Sequence, residues 1–153
     1  ENEADIITIC GMGGRLIADI VTRGMNVITR NTTLIVSPQS EVGDFRHFLV
    51  SQGLVVDEEQ MLKEDGKYYF IIKCGKSDEN VYSEYSETQY QYGWKLLESK
   101  DKTLYEYLIK EKETNEGISN SLKKDESNPT VKLRLQQLSQ KNNIIMDALS
   151  YYD

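Results

Sequence analysis

No run of roughly 18 apolar residues occurs anywhere in the chain, which excludes a transmembrane helix. Glu1-Asn2-Glu3 lacks the basic-then-apolar order of a signal peptide, so no membrane association is expected and the cytoplasm is the expected location. Basic residues are outnumbered, 18 against 25 acidic, for a net charge of −7. That balance argues against a general nucleic-acid coat held by counterion release, and leaves room for a local basic patch. Neither of the two cysteines, Cys10 and Cys74, has a Cys or His nearby at metal-ligand spacing, so reduced thiols and no metal site are expected. The one histidine, His47, falls within an amphipathic helical pattern, where a partly exposed packing role is the expectation.

What is there is concentrated in the first half. The length of 153 residues fits one domain, or a small domain with an appendage, and most of the long apolar runs precede Cys74. Ile6, Ile7 and Ile9 form a short β-branched run without clean polar alternation, as for a strand covered on both faces. Gly11, Gly13 and Gly14 follow, removing three side chains within four residues, and Leu16, Ile17, Ile20 and Val21 recur at helical spacing over about Arg15–Arg23. In open α/β sheets ligands sit outside the carboxyl ends of strands, and this corner is such an end. The alternative is a tight turn that needs glycine only for packing.

Thr33–Val36 reads as a second strand, closed by Ser37-Pro38-Gln39-Ser40. Ser40 is the expected N-cap of a helix with Phe45, Phe48 and Leu49 turned inward, stopped at Gly53. Leu54–Val56 and Tyr68–Cys74 read as strands that pair antiparallel around Asp65-Gly66. Residues 76–93 are polar and tyrosine-rich and read as a linker or loop with room for a short helix. From Trp94 to about Lys124, and again from about Thr130, the pattern is helical, and the short break at Asp125–Pro129 favours antiparallel neighbours in a coiled-coil-like helical hairpin. The expected organisation is therefore a sheet region over 1–75, a linker over 76–93 and a hairpin over 94–153.

A glycine-rich turn followed about 20 residues later by an acidic residue marks many nucleotide-binding folds. Here Ser37 and Gln39 stand at the end of the next strand, which weighs against a nicotinamide dehydrogenase. A buried parallel strand also needs neighbours on both sides, so the first half of the sheet is expected to lie outside these residues.

The blocks Asp5-Ile6-Ile7-Thr8-Ile9-Cys10-Gly11-Met12-Gly13-Gly14-Arg15-Leu16-Ile17, Leu34–Gln39, Phe45–Leu49 and Glu64–Tyr69 resemble, in order and spacing, the bacterial tRNA (adenine-22-N1)-methyltransferases. The resemblance covers the whole chain, and the Cys-Gly-Met-Gly-Gly-Arg-Leu-Ile block is its most specific part. Where that family often has Gln-Pro-Asn, this chain has Ser37-Pro38-Gln39, and the family's amino-terminal cofactor motif is not in the sequence.

The resemblance implies the later half of a Rossmann-like class I methyltransferase sheet, S-adenosyl-L-methionine as cofactor and tRNA as partner, with the fragment alone inactive. Cys10, Gly11 and Met12 would lie near the cofactor, while Gly11, Met12, Gly13, Gly14, Pro38 and Gln39 would line the target-base pocket. Arg15, Lys67, Tyr68, Lys95, Lys132 and Arg134 are the tRNA-contact candidates, and Lys100, Lys102, Lys123, Lys124 and Lys141 extend a basic stripe. Methylation of a neutral adenine N1 asks for alignment more than for a general base, so no catalytic proton acceptor is expected. Cys10, beside a helix amino terminus, is a candidate reactive thiol, against the alternative of an inert buried one. The competing reading is a non-enzymatic protein- or RNA-binding module in which the sheet is a scaffold for the hairpin.

Overall fold

The computed structural model describes residues 4–77 and 84–153. Strand β1 (Ile6–Met12) leads to helix α1 (Gly14–Arg23), then β2 (Thr33–Pro38), α2 (Val42–Ser51), β3 (Leu54–Glu64) and β4 (Lys67–Lys76). The strands form one sheet in the order β1-β2-β4-β3. β1 and β2 are parallel, while β4 pairs antiparallel with both β2 and β3, so the α/β sheet is mixed.

The β3–β4 hairpin turns where the sequence places it: Asp65 and Gly66 both take positive φ, 49° and 75°, as a two-residue primed turn requires. The strands run further than their apolar cores suggest, reaching Glu64 on one side and Lys67 on the other. Cross-strand pairs such as Met61 with Phe70 extend the ladder well past the sheet's centre.

β1 departs from the expectation of a strand covered on both faces. Among the described residues it is the edge of the sheet. Ile9 is buried and Ile7 half-buried, but Ile6 is 61% exposed, and across the neighbouring helix Leu16 is 52% exposed. The inward face of the same elements, Ile9, Ile17 and Val21, packs with Leu34, Val36, Phe45, Leu49, Ile72 and Cys74 into the first core.

Helix boundaries follow local chemistry. Gly53 follows the last turn of α2 as expected, but Ser40 does not cap its start: the cap position is Glu41, held left-handed at φ 53° with no side-chain cap bond. Ser40 instead lends its carbonyl to the neighbouring corner. Within the region read as a linker, Glu87–Tyr92 is a helix, α3, closed by a full capping box between Ser86 and Gln89. Residues 78–83, including Tyr82, lie outside the described residues. The helix expected to run unbroken from Trp94 is two, α4 (Trp94–Glu98) and α5 (Lys102–Leu122). Lys100 turns left-handed between them, and Asp101 accepts from the Leu104 amide at 2.8 Å to start α5 afresh.

α6 (Pro129–Ser150) begins with Asn128 as cap and proline at its first position. It runs antiparallel to α5, as two cross-helix contacts and one from just past its end show. Tyr105 meets Tyr152 near one end, Glu111 binds Lys141 at 2.8 Å, and Asn115 donates to Asn142 at 3.1 Å. Leu104, Leu108, Ile145 and Ala148 join Leu96, Leu97, Tyr92, Met61 and Phe70 in a second core, so the long end of the β3–β4 hairpin seats the helical pair on the sheet. Among the described residues no helix is long and apolar enough to cross a membrane.

Burial makes this fold sensitive to base. It pushes the Cys74 thiol and the Tyr152 hydroxyl up to about 12, and it raises Tyr92 and Tyr107 strongly, with the Glu111 carboxylate adding to both. All four are protonated when folded and would ionise near 9 to 10 in the unfolded chain. Their contribution to stability is therefore complete below the unfolded values and is lost as pH rises toward the folded ones. The denaturation midpoint is expected to hold steady from about pH 7 to 8.5 and to fall between about pH 9 and 11; a midpoint that stays level to pH 11 contradicts this.

Candidate functional site

The two strand-to-helix corners are fastened to each other. Cys10 pairs with Ser37 and Met12 with Pro38, which leaves Gly11 bulged out of the ladder at φ 78°. The Gln39 amide then donates to the Met12 carbonyl at 2.9 Å, and the Gly14 amide to the Ser40 carbonyl at 2.8 Å. Pro38 can lie here because the pairing of β2 with β4 ends at Val36, so no ladder bond needs the missing N–H.

The glycines of this corner do different things. A side chain on Gly11 would meet nothing within 4 Å, so glycine answers to the left-handed bulge and to open space above it. A Cβ on Gly13 would stand 2.7 Å from Ser40 Oγ, and one on Gly14 would stand 2.7 Å and 2.9 Å from the carbonyl oxygens of Glu41 and Ser40. These two are taken up by corner-to-corner packing. The Glu41 carboxylate accepts from the Arg15 amide at 3.4 Å, placing a negative group at the start of α1, where the helix dipole favours one.

The predicted residues divide into two groups. Cys10, Gly11 and Met12 are exposed along the strand end, whereas Pro38 and Gln39 face the other way, into a cleft of about 330 Å³ between the sheet and the helical pair. Gly11 to Gly14 do not line that cleft. Its far walls are Tyr68 and Phe70 of β4, Gln91 and Tyr92 of α3, Tyr107 and Glu111 of α5 and Lys141 of α6. Inside it the Glu111 carboxylate accepts from the Tyr92 hydroxyl at 2.9 Å and from Lys141 at 2.8 Å.

Among the tRNA-contact candidates, Tyr68 lies in this cleft and Lys67 just outside it on the exposed turn. Lys95 is exposed on α4, and its backbone amide donates to Glu59 at 3.1 Å. Lys132 and Arg134 are exposed near the start of α6, Arg134 reaching Gln137 at 3.3 Å, and Lys100 is engaged with the Asp153 carbonyl. Of the basic stripe only Lys141 enters the cleft. His47 stacks on Tyr90 with ring centroids 3.5 Å apart and stands 3.5 Å from Glu87, a packing arrangement. Cys10 is exposed and Cys74 buried.

Sequence reasoning missed Arg46. Its guanidinium is fully buried and binds the shielded Glu59 carboxylate at 2.7 Å; Nη1 donates to the carbonyls of Tyr90 and Gln91, and the group lies over the Phe70 ring. Burial pulls its pKa below the usual value, and Glu59 opposes that pull. Since Glu59 also accepts from the Lys95 amide, one ion pair joins α2, β3, α3 and α4 behind the cleft wall. The available signal was position: Arg46 stands four residues after Val42 and three before Leu49, on the inward stripe of α2.

This is an α/β architecture with a mixed sheet, and a cleft separates the end of β2 from a helical pair. A family model described as tRNA (adenine(22)-N(1))-methyltransferase, TrmK, matches residues 1–146, and the chain belongs to that family. A curated tRNA (adenine(22)-N(1))-methyltransferase of Bacillus subtilis strain 168 is 36% identical over 81 residues, 53% of this chain and 34% of that protein. The crystal structure of the B. subtilis m1A22 tRNA methyltransferase TrmK superposes with a TM-score of 0.79 at 26% identity, covering 97% of this chain and 64% of that one. A Streptococcus pneumoniae protein described as a candidate tRNA (m1A22) methyltransferase, solved with S-adenosyl-L-methionine, gives 0.76 at 27%, covering 95% and 60%. The chain thus spans about a third of the curated relative and under two thirds of the solved ones.

Proposed function

We propose that this chain carries the target-base side of an S-adenosyl-L-methionine-dependent tRNA methyltransferase that forms N1-methyladenosine at position 22. The observation that carries the reading is the fastened pair of corners. They hold an exposed strand end, Cys10 to Met12, directly beside a cleft whose near wall is Pro38 and Gln39. Family membership supplies the reaction.

The residues present suit one flank of the cofactor. Open space above the Gly11 bulge lets a ligand approach main chain that a side chain would otherwise screen. When bound, S-adenosyl-L-methionine supplies an electrophilic methyl group on sulfur. The chain's own part is alignment. Adenine N1 is neutral and carries a lone pair, so nothing here has to remove a proton, and held proximity accounts for much of the rate. A base extruded from tRNA would be read on its edge by the exposed Gln39 amide, which both donates and accepts. The apolar faces left open at Ile6 and Leu16 support a sheet that continues beyond β1 and completes the cofactor site. The helical pair, read as coiled-coil-like, would hold the tRNA body, with Lys132 and Arg134 exposed on α6 and Lys95 exposed on α4.

The test is methyl transfer from labelled S-adenosyl-L-methionine to unmodified bacterial tRNA, with the complete gene product beside the 153-residue chain. Label at N1 of adenosine 22 from the complete product, and none from the chain, is the expected result. Transfer from neither overturns the reading in favour of a binding module, and transfer from the chain alone overturns the division of the cofactor site.

A further inference from the structure

The cleft beside Gln39 does not end at the helical pair. A second hollow of about 170 Å³ continues from it along α5 to Thr114 and Asn115, and the two share Tyr68, Tyr107, Glu111 and Lys141 as walls. Together they make one groove that leads away from the strand-end corner. Its floor is aromatic: Tyr68 and Tyr107 are half-buried with ring centroids 5.2 Å apart, and Phe70 meets Tyr107 edge-on at 5.8 Å.

Its rim is basic, in a chain whose net charge is −7. Lys63 and Lys110 hold their ammonium groups 5.3 Å and 5.4 Å from the centroid of the Tyr68 ring, one from β3 and one from α5, and Lys141 stands over the groove from α6. Two of these cations have carboxylate partners. Lys63 binds Glu106 at 3.3 Å in an exposed pair, weak enough to exchange for a phosphate, while Lys141 binds the largely shielded Glu111 at 2.8 Å and keeps its other donors for a phosphate. Three carboxylates line the groove: Glu111, which accepts from the Tyr92 hydroxyl and Lys141, and Glu41 and Asp44 at the Gln39 end. Three cations from three elements, two of them over the Tyr68 ring and the third on the groove wall, match a sugar-phosphate chain with its bases turned inward.

We infer that this groove binds single-stranded nucleotides of the RNA next to the target base, with a base stacked at Tyr68 and Tyr107 and phosphates met by Lys63, Lys110 and Lys141. The inference rests on the proposed function for the identity of the polymer, and adds the path it takes and the residues that hold it. Direction follows from continuity: the groove opens onto Pro38 and Gln39 at one end and runs up the helical pair at the other. A strand lying in it would present the neighbouring nucleotide to the corner where Cys10, Gly11 and Met12 are exposed.

The experiment measures tRNA affinity and its salt dependence with the complete gene product, in three variants. Lys63→Gln/Lys110→Gln removes two phosphate contacts and should weaken binding while lowering the slope of log K against log salt by about 2, close to one per lysine. Tyr68→Leu keeps an apolar side chain in the wall but removes the stacking face. It should weaken binding about tenfold with the slope unchanged, and Tyr68→Trp should restore it. A purely structural role for Tyr68 would show as a lowered melting temperature, with the same loss in Tyr68→Trp. Unchanged affinity and slope in the lysine variant, or unchanged affinity in Tyr68→Leu, overturns the groove. If the complete product binds tRNA through these residues yet transfers no methyl group, the groove stands and the proposed reaction falls. If it binds no tRNA, both fall.

Discussion

Glu59→Gln should cost the fold about 3–5 kcal/mol, because it strands a buried guanidinium without its counter-charge. The side chains of Arg46 and Glu59 are both completely shielded, and the pair is bonded at 2.7 Å. Arg46 Nη2 already lacks any hydrogen-bond partner, so no spare acceptor stands ready to take up the loss. Glutamine keeps the volume and an acceptor oxygen, which isolates charge as the variable. The double variant Arg46→Met/Glu59→Leu should recover a large part of the stability, since an apolar pair of similar size avoids the desolvation that both ions carry. Denaturant midpoints of the complete gene product, for Glu59→Gln and for the double variant, make the check. A Glu59→Gln loss under about 1 kcal/mol would mean that water or another group neutralises Arg46, and the account of the pair as the fastening between sheet and helices would be wrong.

How much of this was legible in the sequence depends on the range of the interactions involved. Short-range signals carried well. The β1 run, the glycine corner, the Thr33–Pro38 strand and the Asp65-Gly66 turn are each written in a few adjacent residues, and the structure places them accordingly. So is the break at Asp125–Pro129 between α5 and α6. Two of the misreadings share a cause, a contact distant in sequence. Ser40 has the chemistry of a cap, but its carbonyl is drawn toward Gly14 on the other corner, and Glu41 takes the capping place instead. Arg46 stands on the inward stripe of α2, but its partners, Glu59 thirteen residues on and the carbonyls of α3, come from elements further along the chain. The polar stretch before Trp94, read as a loop with room for a short helix, holds α3, whose start is fixed by the local Ser86–Gln89 box.

The candidate site shows the same division. Pro38 and Gln39 were named as one wall through the family resemblance, and they line the cleft at a strand's carboxyl end. The opposite wall was not, since Phe70, Tyr92, Tyr107 and Lys141 come from four separate elements, and only packing of the helical pair on the β3–β4 hairpin brings them together. Tyr68 was named from its neighbours in the chain, without any sign that Lys63 and Lys110 would flank its ring.

The corner glycines allow the sharpest separation of conformation from contact. Gly14→Val should lower stability by about 1–3 kcal/mol and reduce kcat/KM for tRNA methylation about a hundredfold in the complete gene product. A Cβ at Gly14 falls within 3 Å of two carbonyl oxygens, and backbone atoms of a corner cannot swing aside as the end of a flexible side chain can. Relief requires the β1–α1 corner to move off the β2–α2 corner, which stretches the Gly14–Ser40 bond and carries Gln39 out of register with Cys10 to Met12. Displacement on the order of 1 Å suffices for a rate loss of that size when alignment is the main catalytic contribution. Gly11→Asn supplies the contrast, because its neighbourhood is empty and asparagine tolerates the left-handed region, so stability should fall by only about 1 kcal/mol. If Gly14→Val keeps both its midpoint and its kcat/KM, the two corners are not held by this packing. If Gly11→Asn proves the more damaging of the two for stability, the bulge rather than the corner contact is what the glycine cluster secures.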